Sequence, residues 1–367
     1  MYLKKLSLNN FKNYTDATVS FHPKVNCILG LNGAGKTNLL DAIYYLTFTK
    51  SAFNTIDSQN IRHTEKMAVI QGHFSGNDEM SVTCGLKVRQ KKIFKVDQTE
   101  LERMSDHIGT MPLVLISPDD TAIIREASEA RRKFVDSTIS QVNKGYLNNL
   151  MQYNHQLKQR NNLLKNWPHG KPPDKLLFEA YDEVLGKLSA DIFAVRAEFI
   201  VNYKPYFLRH YGEISNDKEH IDLLYQSNLS DPDYDKNFKE ALSKDLVLQR
   251  TTMGIHRDDF VLKMDEYLMK KIGSQGQQKS MVIAMKLAQF DYLKEQTNKT
   301  PLLMMDDIFD KLDDERIEKL ILLIDQEKYG QVFITDARPD RSQNLLKKYN
   351  VQASSFMVED GEINEVS

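Results

Sequence analysis

The segment VNCILGLNGAGKTNLLDAIYYLTF constrains this chain more than any other, because it sets a glycine-rich loop, GLNGAGKT at 30–37, between an unbroken apolar run and a helix-forming stretch. A strand that feeds such a loop into a helix turns consecutive backbone N–H groups toward one point, and the helix N-terminus adds its positive dipole end there. Gly30, Gly33 and Gly35 allow the turn, and Leu31, Asn32 and Ala34 contribute backbone N–H groups. Lys36 is placed to reach the β- and γ-phosphates of a nucleotide, and the Thr37 hydroxyl to ligate Mg²⁺. The helix that follows is expected to be amphipathic. An α/β architecture with buried strands is the consequence.

The rest of the chain divides by periodicity. Alternation at Tyr2 to Leu8, Met67 to Phe74 and Met80 to Val88 predicts a half-exposed antiparallel layer, and Val25 to Leu29 and Leu113 to Ile116 predict buried strands. From about Asp120 to Leu208 the period becomes helical. Leu147, Leu150, Asn154, Leu157, Asn161 and Leu164 form a short heptad seam, and Leu177, Tyr181, Val184, Leu188, Ile192, Val195 and Phe199 a second stripe beyond the break WPHGKPP. A helical hairpin follows, its first helix about 33 Å long; a projecting arm and an ordinary helical subdomain both fit. Strand and helix alternate again after about 240: a helix from Gly276 to Gln296, a strand at Leu302 to Met305, a helix near Asp314 to Gln326, a strand at Gln331 to Thr335, and a closing hairpin around the Asp-Gly in SSFMVEDGEINEV. The expected division is 1–120 and 241–367 as one split α/β head, with 121–240 as a helical arm.

Two further segments carry chemistry. In PLLMMDDIFDKLDDER at 301–316 an apolar strand ends in two carboxylates, so Asp306 stands at the carboxyl edge of the sheet, where ligands of open α/β sheets collect. Asp306 suits the metal shell, and Asp307 suits polarising an attacking water. Asp313, Asp314 and Glu315 are expected only to charge the first turn of the next helix. In GSQGQQKS at 273–280, Ser274 and Gln277 have capping-box spacing, and Gly276 keeps the helix start small; such a start also receives anions.

Together these motifs resemble the ATP-binding-cassette ATPases, with GSQGQ answering to the signature that touches the γ-phosphate held by the opposite subunit. The long insertion resembles the branch containing SMC proteins. LSLNNFKNY at 6–14, SPDD and ARRKFVD within 117–136, GIHRDDF at 254–260 and the double aspartate at 306–307 make the chain most similar to the RecF family of bacterial recombination mediators. Thr335, where transporter ATPases carry a switch histidine, agrees. The resemblance implies an ABC-type head split by an arm, with ATP and Mg²⁺ as cofactors. It also implies slow, DNA-stimulated hydrolysis, an ATP-dependent homodimer, and double-stranded and gapped DNA with RecR and RecO as partners in repair and the SOS response. Lys279, Gly273, Ile255 and Asn54 depart from the family pattern, and with Asn54 in KSAFN at 50–54 no catalytic arginine is expected from that loop.

Charge decides less in total than in place. The 49 basic and 51 acidic side chains leave −2, which excludes a uniformly basic, histone-like binder. KVRQKKIFK at 87–95 has five basic and no acidic residues, and 131–175 has nine against two; such stripes suit either salt-sensitive DNA binding or a solvated helix face with Lys and Arg lying over apolar surface, and the resemblance favours DNA. Residues 213–240 carry eight acidic and three basic side chains and are expected to be a solvated linker. Cys27 and Cys84 are the only cysteines, which predicts a reducing, cytoplasmic setting; nucleoid association is what the resemblance implies. No leader-like stretch and no 18-residue apolar window appears. An ATPase driving a membrane partner is disfavoured for that reason and for the missing histidine; one coupled to a nuclease is disfavoured because no DxD cluster follows Asp313.

Overall fold

The computed structural model describes all residues except 77, 169–170, 217–218, 309–316, 320–321, 323–327, 350 and 367. Asp313, Asp314 and Glu315, and most of the helix expected near Asp314 to Gln326, lie outside the described residues. Two compact units emerge, Met1–Asp120 with Lys279–Ser367, and Thr121–Gln278.

The first unit holds two six-stranded sheets. One is antiparallel, with Tyr2–Phe11 between Tyr14–Ser20 and Met67–Ser75, continued by Met80–Lys87. Met67–Ser75 alternates strictly between buried and less buried positions, as a sheet with one covered face requires. The second sheet is parallel through Ala353–Glu359, Val25–Leu29, Val332–Asp336, Leu302–Met305 and Leu113–Ile116, with Glu362–Val366 antiparallel at its edge. Val25–Leu29, Leu302–Met305 and Val332–Asp336 are buried at every position, the pattern of strands covered on both faces. Phe21 meets Phe333 and Phe356 edge-on in the core.

The helix Lys36–Phe48 is not amphipathic as expected. Leu39, Leu40, Ala42, Ile43, Tyr45, Leu46 and Phe48 are all buried, because the helix packs against strands of both sheets and so has no solvent face. Both cysteines are free and buried, and burial pushes each thiol up to about 12.

The second unit is a helical hairpin, Lys144–Asn166 against Lys175–Ser215, with a three-stranded sheet of Ile221–Gln226, Asp259–Met264 and Tyr267–Leu268. Its return point, after Gln278, differs from the expected one at 240. Strand Ile221–Gln226 pairs with Asp259–Met264 along its length, which holds the later segment in this unit. The same pairing shows that 213–240 is more than a linker.

The seam is also displaced. On Lys144–Asn166 the buried positions are Tyr146, Tyr153, Arg160 and Leu164, whereas Asn154 is exposed and Leu147, Leu150 and Leu157 are half-buried. On Lys175–Ser215, Phe178, Leu185, Leu188, Ile192, Arg196 and Phe199 are buried, but Leu177 and Val184 are exposed. Long side chains with polar ends fill this interior because each finds a partner there, and a leucine-based period passes over them. Among the described residues, no helix is long and apolar enough to cross a membrane.

Candidate active site

Strand Val25–Leu29 runs into Gly30, whose φ is +152°; a Cβ there would stand 2.3 Å from the Val358 carbonyl oxygen, so glycine is required on both counts. The loop ends at Gly35, φ +117°, which precedes the helix Lys36–Phe48 without any side-chain cap. Uncapped first-turn N–H groups are what an anion at a helix start engages. The Lys36 ammonium, almost buried, donates to the Gly30 and Leu31 carbonyl oxygens at 2.7 and 2.9 Å. Burial holds its pKa below the usual lysine range, against the pull of Asp307, Asp306 and Asp336.

Asp306 follows strand Leu302–Met305 and is 4% exposed. Its backbone N–H donates to the Ile116 carbonyl oxygen at 2.8 Å, which continues the pairing with the neighbouring strand. Its carboxylate accepts the Thr37 hydroxyl at 3.0 and 2.9 Å and the Thr335 hydroxyl at 2.7 Å. Thr335, on the strand between the loop strand and the Asp306 strand, also accepts the Asp307 backbone N–H at 2.8 Å. One threonine therefore fixes the buried carboxylate and the adjoining backbone. Burial raises the Asp306 pKa, and the hydroxyls of Thr335 and Thr37 with Lys36 oppose that rise. Asp307 sits at φ +45°, a left-handed conformation that strains a non-glycine residue and occurs where a side chain must be aimed.

The donor set fits Mg²⁺. Thr37 and Asp306 offer a hydroxyl and a carboxylate within hydrogen-bond distance, both hard oxygen ligands. Among the described residues no group of three or more His, Cys, Asp or Glu side chains could hold a metal. A hydroxyl beside a carboxylate suits an ion that completes its shell from water and phosphate, the habit of Mg²⁺.

Spacing did not reveal the bracing of this loop. Tyr14 donates its hydroxyl to the Gly35 carbonyl oxygen at 2.9 Å, and Asn13 its amide to the Ala34 carbonyl oxygen at 3.0 Å. Asn38 in turn donates to Asn13 at 2.8 Å. Asp41, one turn beyond Thr37, is fully buried; it accepts Ser51 and the Ala52 N–H and pairs with Lys12 at 2.6 Å. LSLNNFKNY and KSAFN had stood out only by resemblance. Their partners lie 10 or more residues away, beyond the reach of a helix or strand period.

Lys36, Thr37, Asp306 and Asp307 thus come together in the first unit. Ser274 and Gln277 belong to the second, with Gly276 in the first turn of helix Gln275–Thr297. There the expected capping box forms in both directions: Ser274 N–H donates to Gln277 Oε1 at 2.7 Å, and Gln277 N–H to Ser274 Oγ at 3.2 Å.

The segments ARRKFVD and GIHRDDF, which carry part of the resemblance, form a buried ionic network in the second unit. Arg131 makes a bidentate pair with Asp259 at 2.6 and 3.1 Å, Arg132 donates to the Asp258 carbonyl oxygen at 2.6 Å, and Arg196 joins Asp136 and Asp258, each at 2.8 Å. Lys133 instead pairs with Glu129 on the surface. Arg160, fully buried, donates to Asp182, Asp245 and Thr251. Three of the nine basic residues in 131–175, namely Arg131, Arg132 and Arg160, are thus engaged inside the fold, and the basic stripe is weaker than its sequence count.

Comparisons with known proteins show the family and the fold. Residues 2–363 match the family described as RecF/RecN/SMC N terminal domain. The DNA replication and repair protein RecF of Phocaeicola vulgatus is 45% identical over 368 residues, covering 100% of this chain and 98% of that protein. The solved structure of the recombination mediator protein RecF-ATPrS in the RecFOR pathway superposes with a TM-score of 0.87 at 31% identity, covering 100% of this chain and 98% of that one. An Smc head domain with an extended coiled coil from Pyrococcus furiosus, at 16% identity and a TM-score of 0.58 over 100% and 96% of the two chains, shares the fold. The architecture is thus the expected one, an α/β ABC-type ATPase head interrupted by a helical subdomain. By the span of the family match and the identity of its full-length relatives, the chain belongs to the RecF family.

Proposed function

We propose that this chain is an ATP-dependent DNA-binding recombination mediator that acts at gapped or junction DNA in repair, replication restart and SOS induction. It closes as an ATP-sandwiched homodimer and hydrolyses ATP slowly. The observation that carries the reading is the Thr37–Asp306–Thr335 cluster beside Lys36, which joins a phosphate loop to a strand-end carboxylate. RecF relatives act in DNA replication and repair, and a RecF has been solved with ATPrS in the RecFOR pathway. RecR and RecO are the partners this implies, in the cytoplasm at the nucleoid.

The backbone N–H groups of residues 30–37 would bind the phosphates, with Lys36 exchanging the Gly30 and Leu31 carbonyls for β- and γ-phosphate oxygens. Thr37 and Asp306 would hold Mg²⁺, which supplies neutralisation of the charge that builds on the phosphate oxygens. Asp307, with its backbone held by Thr335, orients the attacking water and accepts its proton. Ser274 of a second copy donates its hydroxyl to the γ-phosphate. Loss of that phosphate removes a contact made only in the closed dimer, so ATP sets how long the dimer stays shut. DNA is gripped through the basic hairpin at 87–95 and the exposed lysines of the helical unit, Lys158, Lys165, Lys171 and Lys175.

Sedimentation and gapped-DNA binding with ATP, ADP or no nucleotide test this for wild type, Lys36→Arg and Ser274→Arg. Only wild type with ATP should dimerise and bind tightly. Nucleotide-independent dimerisation with unchanged DNA affinity would refute the clamp.

A further inference from the structure

Gln277 has a partner outside its own motif. Its side-chain carbonyl and backbone N–H are engaged with Ser274, and its amide nitrogen donates to Glu219 Oε1 at 2.7 Å. The second oxygen of Glu219 accepts the hydroxyl of Tyr211, which is buried near the end of the helix Lys175–Ser215. All four residues lie within the second unit.

This chain of bonds settles what Ser274 has left to offer. Its oxygen already accepts the Gln277 N–H, so its own hydrogen remains to be donated outward, which is the polarity a phosphate oxygen needs. The reciprocal bond, from the Ser274 N–H to Gln277 Oε1, fixes the Ser274 backbone and lasts only while Gln277 stays in one rotamer. A free glutamine side chain samples several and loses substantial entropy when it is ordered. Glu219 imposes the ordering in advance, so closure on a phosphate does not carry that cost. A carboxylate is an unfavourable neighbour for an incoming triphosphate if it merely fills space. Its advantage is that a charged acceptor holds an amide donor more firmly than a neutral one.

We propose that Glu219 is a positioning residue: it holds Gln277, and through it Ser274, in the form that receives the terminal phosphate bound by a second copy, and Tyr211 ties that form to the end of the long helix. The proposal rests on the ATP-closed dimer described above.

The test compares ATP-dependent dimerisation by sedimentation velocity, and hydrolysis, for wild type, Glu219→Ala, Glu219→Gln, Gln277→Ala and the double alanine variant. Fluorescent-nucleotide binding to the monomer is read alongside. Glu219→Ala should weaken dimerisation about tenfold through the restored side-chain freedom, and leave nucleotide affinity of the monomer unchanged. Glu219→Gln, which can still accept from Gln277 and donate to Tyr211 but lacks the charge, should restore most of it. The double variant should be no weaker than Gln277→Ala alone, because Glu219 acts through that side chain. Wild-type dimerisation in Glu219→Ala, failure of Glu219→Gln to rescue, or losses that add in the double variant each overturn the proposal. If wild type itself does not dimerise with ATP, the functional reading falls, a separate result visible before any variant is compared.

Discussion

Replacing Arg160 separates the two roles that a basic residue in 131–175 can have. Arg160 is fully buried; it donates to Asp182 at 2.7 Å, to Asp245 at 2.7 Å and to Thr251 at 2.8 Å, and its guanidinium lies over Phe178 and Phe238. Arg160→Met keeps most of the stem packing and removes the charge. Breaking a buried ion pair by removing one member costs about 3–5 kcal/mol, because the other is left desolvated. Asp245 keeps the Thr252 N–H and hydroxyl at 2.9 and 2.7 Å, and the Asp182 side chain is 11% exposed and can reach water. The loss should therefore fall at the low end, about 3 kcal/mol, or roughly 6–12 °C for a unit of this size. Urea unfolding followed by circular dichroism gives the stability. Fluorescence anisotropy of labelled DNA between 50 and 200 mM salt, about the usual range for such slopes, gives the number of phosphates neutralised. Arg160→Met should leave the salt slope of the folded protein unchanged, whereas Lys158→Ala on the exposed side of the same helix should lower it by about one without destabilising the fold. An Arg160→Met protein as stable as wild type, with a reduced salt slope, would refute the burial argument and return Arg160 to the DNA-binding surface.

Asp306→Asn should abolish magnesium-dependent hydrolysis while raising the melting temperature at neutral pH, since burial raises the Asp306 pKa and a charged carboxylate there opposes folding above that pKa; a lower melting temperature in differential scanning fluorimetry contradicts this. Tyr14→Phe removes a buried hydroxyl donor to the Gly35 carbonyl oxygen, which keeps the Leu39 N–H at 3.0 Å. It should cost about 1 kcal/mol in urea unfolding and weaken nucleotide binding measured by calorimetry. His256 donates its Nε2–H to the Thr251 carbonyl oxygen at 3.0 Å and accepts the Tyr153 hydroxyl at Nδ1 at 2.6 Å, and burial depresses its pKa to about 4. Its unfolded form takes up a proton first, so stability should decline as pH falls from about 6.5 toward 4, by about 3 kcal/mol at most, and the decline should shrink in His256→Gln thermal melts.

Strand positions were legible because burial writes itself into short runs. Val25–Leu29, Leu113–Ile116 and Leu302–Met305 fall where the apolar stretches stand, and the Asp360–Gly361 turn, with φ of +48° and +83°, forms the expected hairpin. Helix faces were less legible. The heptad positions Leu147, Asn154 and Asn161 stood one residue away from Tyr146, Tyr153 and Arg160, because those side chains are buried on the strength of partners at Asp136, His256 and Asp245. Periodicity alone weighs a side chain by its own polarity and not by what it meets.

The phosphate loop was recognisable from its own residues. A buried strand, three glycines and a helix start are contiguous, and the backbone geometry they impose is local, so Gly30 to Thr37 could be read directly as an anion cradle. Which charges would stay outside was beyond any local reading. Thr37 meets Asp306 across 269 residues of sequence, and Arg131 meets Asp259 across 128. A charged side chain is stable inside only if its counterpart arrives, and that is settled by the packing of distant segments. The tertiary structure thus divided the basic residues between a folded ionic core and an exposed surface, and set Thr335 and Tyr14 as supports of a site whose central residues the sequence had already named.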